Sequence, residues 1–527
     1  MKKFFSLIFL FGLFFNQTYL ERKQNEQEMV ILNEDLPPTL ALTSIALGPL
    51  KGVISSGLLW RAMEKEDKKE YMESYQLSRM ITAIQPRYPS IWTFQGFTLS
   101  FNVAASYTRP EERWQWILRG IELMRDDGLK YNPDNAEIRH EIMRTISHKI
   151  QQSDQNSLFM KNEWTKLMLN YFDDGDYSEL QRLRKAASSL AELKTRPYLD
   201  QLAEVAKTNG INLYDFKENP PQLNINYVGY LFGGKAPAEE QMPTVTSAVT
   251  NLYYYYKRNK IEQDLKFDIL RMIEIDEELG PFDWRSHIAT ALYWGSEDIF
   301  QDYITGNINY TSMSVGLMID NFYEGKIIYN QENDSFIRTT NIQALPTIHH
   351  YYDKLLISKP DRKTRKSHDT FITRAIGICY NMNQAQASRE LFSIYKSFSG
   401  QPDLTFEEFI LGSMLKTLKS STFKETRALI ESLLVKSYKS AEALNHEMSM
   451  GLRNRAMLMY RLYQKEYGNS SAKLPKFTDI EKSAKISLYG KDTKKLDSLE
   501  TFLKATTQQK VTKVSTDCAI IEVDKND

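Results

Sequence analysis

The most motif-like stretch of the sequence is a glycine-rich run from Gly229 to Ala236. It matches the phosphate-binding pattern GxxxxGK(S/T) at every position except the last, which should be Ser or Thr and is Ala236. That hydroxyl coordinates magnesium in nucleotide-binding loops, and Ala236 has none. Residues 226–228 could form the preceding strand, but Pro237 follows closely and no β/α alternation comes after it. We therefore favour the alternative, a glycine-rich interdomain turn in a helical setting.

The histidines do not have the spacing of metal ligands. His140 and His148 are eight residues apart on a predicted helix, whereas helical metal pairs are three or four residues apart. His349 and His350 are adjacent, so on a helix they point about 100° apart. We expect surface or packing histidines, and the sequence assigns no metal ligand.

The most enzyme-like polar cluster is Asp283-Trp284-Arg285-x-His287. Here a carboxylate could orient His287 as a general base. The alternative, which we favour, is that Asp283 caps a helix starting at Trp284 and that Arg285 is exposed. The sequence has no GxSxG elbow and no cysteine with a convincing partner histidine. We therefore assign no catalytic and no cofactor-binding residue and expect no cofactor.

Two basic stretches could contact a ligand. Residues 253–256 are four tyrosines followed by Lys257-Arg258-Asn259-Lys260, and aromatics beside cations can stack on bases. On a helix, four consecutive tyrosines point all round, so we expect a packing role. Residues 361–366 are predicted to be a solvated basic loop, with anionic lipid or a protein as alternative contacts.

The elements that must position these residues are helices. Glycine (23) and proline (17) are scarce in 527 residues, which favours long helices and short turns. Lys+Arg and Asp+Glu balance at 67 each, so no overall field attracts nucleic acid. The two cysteines, Cys379 and Cys518, exclude a disulfide framework. We expect an all-α chain of stacked antiparallel helix pairs.

The first 20 residues resemble a membrane signal. Lys2 and Lys3 precede an apolar run from Phe4 to Phe15, and no small-residue cleavage site follows. We expect an uncleaved single-pass anchor over residues 1–20, in a bacterial inner membrane with the body on the extracytoplasmic side. The alternatives are a cleaved signal, giving a secreted or periplasmic protein, and a cytoplasmic protein. A second apolar stretch, residues 40–60, could graze a bilayer, but polar residues interrupt it too often for a span. We therefore expect it to open the first buried helix.

Apolar residues recur at three- and four-residue steps after residue 36, interrupted by clusters of proline and glycine. These interruptions predict a helical domain over 36–208, a linker over 209–243, a second helical domain over 244–467 and a polar tail over 468–527. A short strand is expected at 518–523. Within the second domain, the pattern predicts paired helices at 406–418 and 423–434.

The N-terminal helical region contains two similar sequence segments. Residues 83–92 and 130–139 align with an offset of 47 residues, and each marks the junction between two helix pairs. Trp92, Gly96 and Leu99 then resemble the first helix of a tetratricopeptide-type repeat. The second helix of that family matches four further positions, with the spacing one residue too long: Gly120, Met124, Gly128 and Pro133. The resemblance implies stacked helix pairs with small residues where helices approach.

Residues 47–89, 112–123 and 280–294 also resemble a group of uncharacterised bacterial membrane-anchored repeat proteins. That resemblance implies architecture and location only. Our first hypothesis is a membrane-tethered scaffold that binds a protein partner, an integral-membrane one included. The alternatives are a helical hydrolase-like enzyme centred on Asp283, Arg285 and His287, and an accessory subunit of a membrane transport or assembly complex.

Overall fold

A computed structural model describes residues 50–151, 156–295, 308–330, 335–358, 361–382, 384–419, 421–442, 445–467 and 473–490. The predicted anchor at 1–20 and the predicted strand at 518–523 lie outside these ranges. In the ranges described, we find no helix with the length and apolar character needed to cross a bilayer. These residues are mostly helical, which confirms the all-α class.

The chain forms two compact units. The first takes residues 1–277 and 284–317, and the second takes residues 278–283 and 318–527. The first unit contains these helices: α1 (Leu50–Asp67), α2 (Tyr71–Ile84), α3 (Pro89–Phe97), α4 (Ala104–Ser106), α5 (Pro110–Glu122), α6 (Leu129–Tyr131), α7 (Ala136–Gln151), α8 (Ser157–Leu169), α9 (Tyr177–Lys185), α10 (Leu190–Lys194), α11 (Leu199–Thr208), α12 (Ile225–Leu231), α13 (Met242–Lys260), α14 (Ile269–Leu279) and α15 (His287–Gly295). Helix α16 (Ile308–Glu324) has residues in both units, and the last two residues of α14 belong to the second unit.

Helix starts in the first unit follow local sequence signals. Pro89 and Pro110 occupy the first turns of α3 and α5, where a missing N–H costs nothing. Asp176 and Ser189 cap α9 and α10 by accepting a backbone N–H three residues on. The central helix α7 buries a row of aliphatic side chains at helical spacing: Ile138, Ile142, Met143, Ile146 and Ile150.

Three π-helical segments interrupt the long helices. They span Thr98–Val103 between α3 and α4, Leu123–Gly128 between α5 and α6, and Ile261–Leu265 after α13. A π-turn closes hydrogen bonds from residue i to i+5 and holds one residue more than an α-turn. The second segment falls where the repeat-like spacing from Gly120 to Pro133 is one residue too long.

Residues 209–243, expected to be a linker, lie inside the first unit. Tyr227, Val228 and Leu231 of α12 are buried in a core that also contains Leu202 and Leu252. Asn224 caps this short helix by accepting the Tyr227 N–H at 2.8 Å. Because α12 buries its apolar face in this core, the segment 209–243 is not a solvated linker.

The second unit adds a hairpin and seven helices among its described residues. They are β1 (Lys326–Asn330), β2 (Ser335–Thr339), α17 (Leu345–Ser358), α18 (Arg362–Asn381), α19 (Ala385–Ser399), α20 (Phe406–Lys419), α21 (Phe423–Glu442), α22 (His446–Tyr467) and α23 (Phe477–Tyr489). The strands pair antiparallel, with Ile328 opposite Ile337. Helices α20 and α21 confirm the two helices expected at 406–418 and 423–434.

The basic run at 361–366 is not the loop that the sequence suggested. Asp361 accepts the Thr364 N–H at 2.7 Å, and α18 begins at Arg362. The N-cap outweighs the repulsion that four cations experience at the positive end of a helix. In the rest of the unit, α18 packs on α19 and α21 packs on both α22 and α23.

Candidate functional site

A buried carboxylate organises the turn before α9 in the first unit. Glu179 is fully buried and accepts the backbone N–H groups of Asp173, Asp174 and Gly175, with its shortest contact 2.7 Å. Its own N–H donates to the Asp176 cap at 2.9 Å. Gly175 adopts a φ of 67°, which favours glycine. Glu179 thus holds three consecutive amides that the turn would otherwise leave without helical partners.

A lysine from α13 completes this cluster. Lys257 is only 6% exposed, and its Nζ lies 2.6 Å from Asp173 Oδ1 and 3.8 Å from Glu179 Oε1. The Tyr253 hydroxyl donates to the Asp173 carboxylate at 2.7 Å. Because a buried cation is costly unless it is paired, the two carboxylates stabilise Lys257 in place.

Burial and charge oppose one another in this cluster. Burial raises the pKa of Glu179, while Lys257 and the backbone N–H groups favour its ionised form and limit that rise. Burial also raises the pKa of Tyr253, and its hydrogen bond to Asp173 adds to the effect. Tyr253 therefore stays a protonated donor at neutral pH and holds its hydrogen bond to Asp173.

Two residues of the enzyme-like cluster reach the same turn. The Trp284 N–H donates to Gly175 O at 2.7 Å, and Arg285 Nη1 donates to Asp173 O at 2.8 Å. Both expectations for this stretch were wrong. Helix α15 begins at His287 instead of Trp284, because the Trp284 amide is engaged by a distant turn, and Arg285 is only 7% exposed.

His287 and Asp283 have separate partners. His287 is 1% exposed, and its Nε2 lies 2.5 Å from Gln151 Oε1 at the end of α7. Asp283 belongs to the second unit, where its Oδ2 accepts the Ile327 N–H of β1 at 2.9 Å. Asp283 therefore holds a hairpin strand and is not the cap of a helix at Trp284.

The same segment forms a second hydrogen-bonded centre in the second unit. The Gly280–Pro281 peptide bond is cis. Pro281 O accepts the side-chain amides of Asn321 and Asn341 at 3.1 and 2.7 Å. Thr347 donates to Gly280 O at 2.7 Å. These donors come from α16, the stretch after β2, and α17, so they fix this turn within the unit.

The glycine-rich run lacks the strand that a phosphate-binding loop requires. Residues 226–228 are helical, Lys235 is exposed, and Gly233 and Gly234 adopt positive φ after α12. A turn in a helical setting is what we favoured, but it lies inside the first unit and not between domains.

The other candidate residues pack against the protein. His140 is 5% exposed within α7. The ring of His349 stacks on His368 at 5.6 Å. Tyr255 is buried in the core near α12, and burial raises the pKa of Cys379 to about 12. Across the part of the chain that the structure describes, no group of three His, Cys, Asp or Glu residues is arranged to hold a metal ion.

Glu179, Lys257 and Asp173 were not predicted from the sequence to form a cluster. A local signal exists, since Asp176-x-x-Glu179 has the spacing of a capping box. Lys257 lies far away in sequence and has no such signal. The cluster can orient backbone and exclude water, and its charged groups are engaged by one another. Comparison of the chain with protein-family models, curated proteins and solved structures gives no significant match.

Proposed function

We propose that this chain is a membrane-tethered helical-repeat scaffold that binds a protein partner in the bacterial envelope. The observation that carries the proposal is the close crossing of α3 and α5. A Cβ added at Gly120 would lie 2.7 Å from the carbonyl oxygen of Gly96. A Cβ added at Gly96 would overlap Met124 Sδ. Small residues at these positions are what the tetratricopeptide-type resemblance implies.

The π-turn at Leu123–Gly128 supports the same resemblance. The spacing from Gly120 to Pro133 is one residue longer than in the repeat pattern, and the π-turn accommodates that extra residue. After it, Gly128 still packs closely, because an added Cβ would lie 3.3 Å from Trp92 Cβ. Helix pairs of this kind stack into surfaces that bind peptides or helices of other proteins.

The polar clusters favour a scaffold over a catalyst. Glu179, Lys257 and Asp173 satisfy one another and a turn, and Asp283 and His287 each contact a different element. Such networks maintain a fixed shape, which suits a binding surface. The proposed tether is residues 1–20, which would hold that surface beside the inner membrane on its extracytoplasmic side.

The test is capture of the tagged full-length chain from its native membranes in mild detergent. Mass spectrometry then identifies co-purified proteins and the N-terminus of the captured chain. We expect a stoichiometric protein partner and an intact Met1–Leu20 segment. An integral-membrane partner would specify an accessory subunit of a transport or assembly complex.

The matched control is a chain that begins at residue 21, expressed at the same level. It should leave the membrane fraction and keep the helical circular dichroism of the full chain. A captured full-length chain without any stoichiometric partner would contradict the scaffold. Loss of helicity on removing residues 1–20 would contradict the tether.

A further inference from the structure

Helix α1 exposes a row of apolar side chains. Leu50, Val53, Ile54 and Trp60 are 56%, 58%, 37% and 71% exposed. At about 100° per residue they fall within about 120° of the helix circumference. Gly57 lies between them, and a Cβ there would meet nothing within 4 Å. This stretch was expected to open a buried helix. The helix is present, but the residues that the structure describes leave its apolar face exposed.

The rest of α1 is held by the protein. Ser55 and Ala62 are buried, and α1 packs along α2. Single exposed apolar residues are ordinary on protein surfaces, whereas a contiguous row marks a contact with another molecule or a membrane.

The first part of α1, which carries the apolar row, contains only positive charges. Residues 50–63 include Lys51 and Arg61 and no aspartate or glutamate. The first acidic residue, Glu64, lies one turn after Trp60 on the same side of the helix and pairs with Lys68 at 2.6 Å. An apolar face with tryptophan and flanking cations fits the headgroup region of an anionic bilayer.

The chain that precedes α1 limits how far this face can be from a membrane. Residues 21–49, 29 in all, separate the predicted anchor from Leu50. Fully extended, they span about 100 Å at most. A tethered α1 therefore remains close to the bilayer that holds residues 1–20, and the local lipid concentration is high.

We propose that the apolar face of α1, formed by Leu50, Val53, Ile54 and Trp60, lies in the interfacial region of an anionic bilayer. This proposal rests on the proposed membrane tether. It adds a second membrane contact, which fixes the orientation of the first unit. The face would enter the boundary of headgroups and acyl chains, as interfacial helices do.

The seven tryptophans provide a direct test. Trp60 is 71% exposed, Trp116 is half-buried, and the remaining five are buried: Trp92, Trp114, Trp164, Trp284 and Trp294. The full-length chain is reconstituted into phosphatidylethanolamine and phosphatidylglycerol vesicles whose acyl chains carry bromine, which quenches nearby indoles. We expect the tryptophan fluorescence to be quenched by the bromine. Trp60→Phe should reduce that quenching at least about twofold. Trp116→Phe, the matched control, should leave it nearly unchanged.

A second variant tests the face without removing the probe. Val53→Ser combined with Ile54→Ser changes two exposed side chains, so the fold should persist, and quenching of Trp60 should decrease. Flotation of the vesicles reports the tether independently. If the chain floats but Trp60→Phe leaves quenching unchanged, the α1 contact is refuted and the tether stands. If the chain does not float, the tether is refuted. A concentration-dependent blue shift of Trp60 without vesicles would assign the face to a second copy and overturn the proposal.

Discussion

Replacing Gly120 with alanine tests the close crossing of α3 and α5. Its Cβ would lie 2.7 Å from Gly96 O, which is backbone and cannot move alone. It would also overlap Ser100 Oγ, which donates to Ile117 O at 3.3 Å. The substitution therefore has to separate the two helices, and it also displaces the Ser100 hydroxyl from that hydrogen bond.

Two opposing contributions set the change in the free energy of unfolding caused by Gly120→Ala. Alanine stabilises a helix interior by about 1 kcal/mol relative to glycine. Overpacking a closed contact costs about 1–3 kcal/mol. Gly57→Ala in α1 isolates the first term, because an added Cβ meets nothing within 4 Å there. Relative to Gly57→Ala, we expect Gly120→Ala to lower the free energy of unfolding by about 1–3 kcal/mol.

The assay is urea unfolding followed by circular dichroism, with wild type and both variants measured together. Gly96→Ala adds an intermediate case, since its Cβ would meet the end of the Met124 side chain, which can move. The expected order of stability is Gly57→Ala, then Gly96→Ala, then Gly120→Ala. Equal stabilisation by Gly57→Ala and Gly120→Ala would refute the close crossing.

Three further predictions concern buried polar groups. Gln95 is fully buried, and neither polar atom of its side-chain amide has a hydrogen-bond partner. Gln95→Leu should therefore raise the free energy of unfolding by about 1–3 kcal/mol. A loss of stability in thermal unfolding would mean that the amide is hydrogen-bonded. Glu179→Gln should cost about 2–4 kcal/mol, because a side-chain N–H would face backbone donors. Glu192→Gln, which alters an exposed capping contact with Ser188, should cost clearly less than Glu179→Gln in the same urea titration, and equal costs would contradict the role of burial. Burial lowers the pKa of His368, and His349 lowers it further, so the neutral form is favoured on folding and stability falls as the pH drops below about 6.5. His368→Phe should flatten that decline between pH 7 and pH 5 in thermal unfolding, and an unchanged pH profile would rule His368 out as its source.

Local signals made much of the helical architecture predictable. The paired helices after Phe406 begin as expected. Pro89 and Pro110 occupy first turns of helices, the position that a missing N–H favours. Gly96 was expected where a neighbouring helix presses close, and an added Cβ there would overlap Met124. Each of these features depends on residues within one or two helical turns.

Features that depend on distant residues were not predictable. The helix expected at Trp284 begins three residues later because Trp284 N–H bonds to Gly175, more than a hundred residues away. The hairpin at 326–339 is too short to give a strong alternation signal, and Asp283 pairs with it from another segment. The sequence around Lys257 suggests a surface cation beside tyrosines. In the structure Lys257 is buried, and its ion pairs with Asp173 and Glu179 offset the cost of burying its charge.

The π-turn at Leu123–Gly128 also has an evolutionary consequence. One residue inserted into a continuous α-helix rotates everything after it by about 100° and would turn buried faces towards solvent. A π-turn absorbs the insertion, so Gly120 before it and Gly128 after it both keep close neighbours. A lineage can therefore accumulate such insertions while inheriting the same helix contacts. A helical repeat that carried such turns would lose its fixed period in the sequence long before it lost its packing.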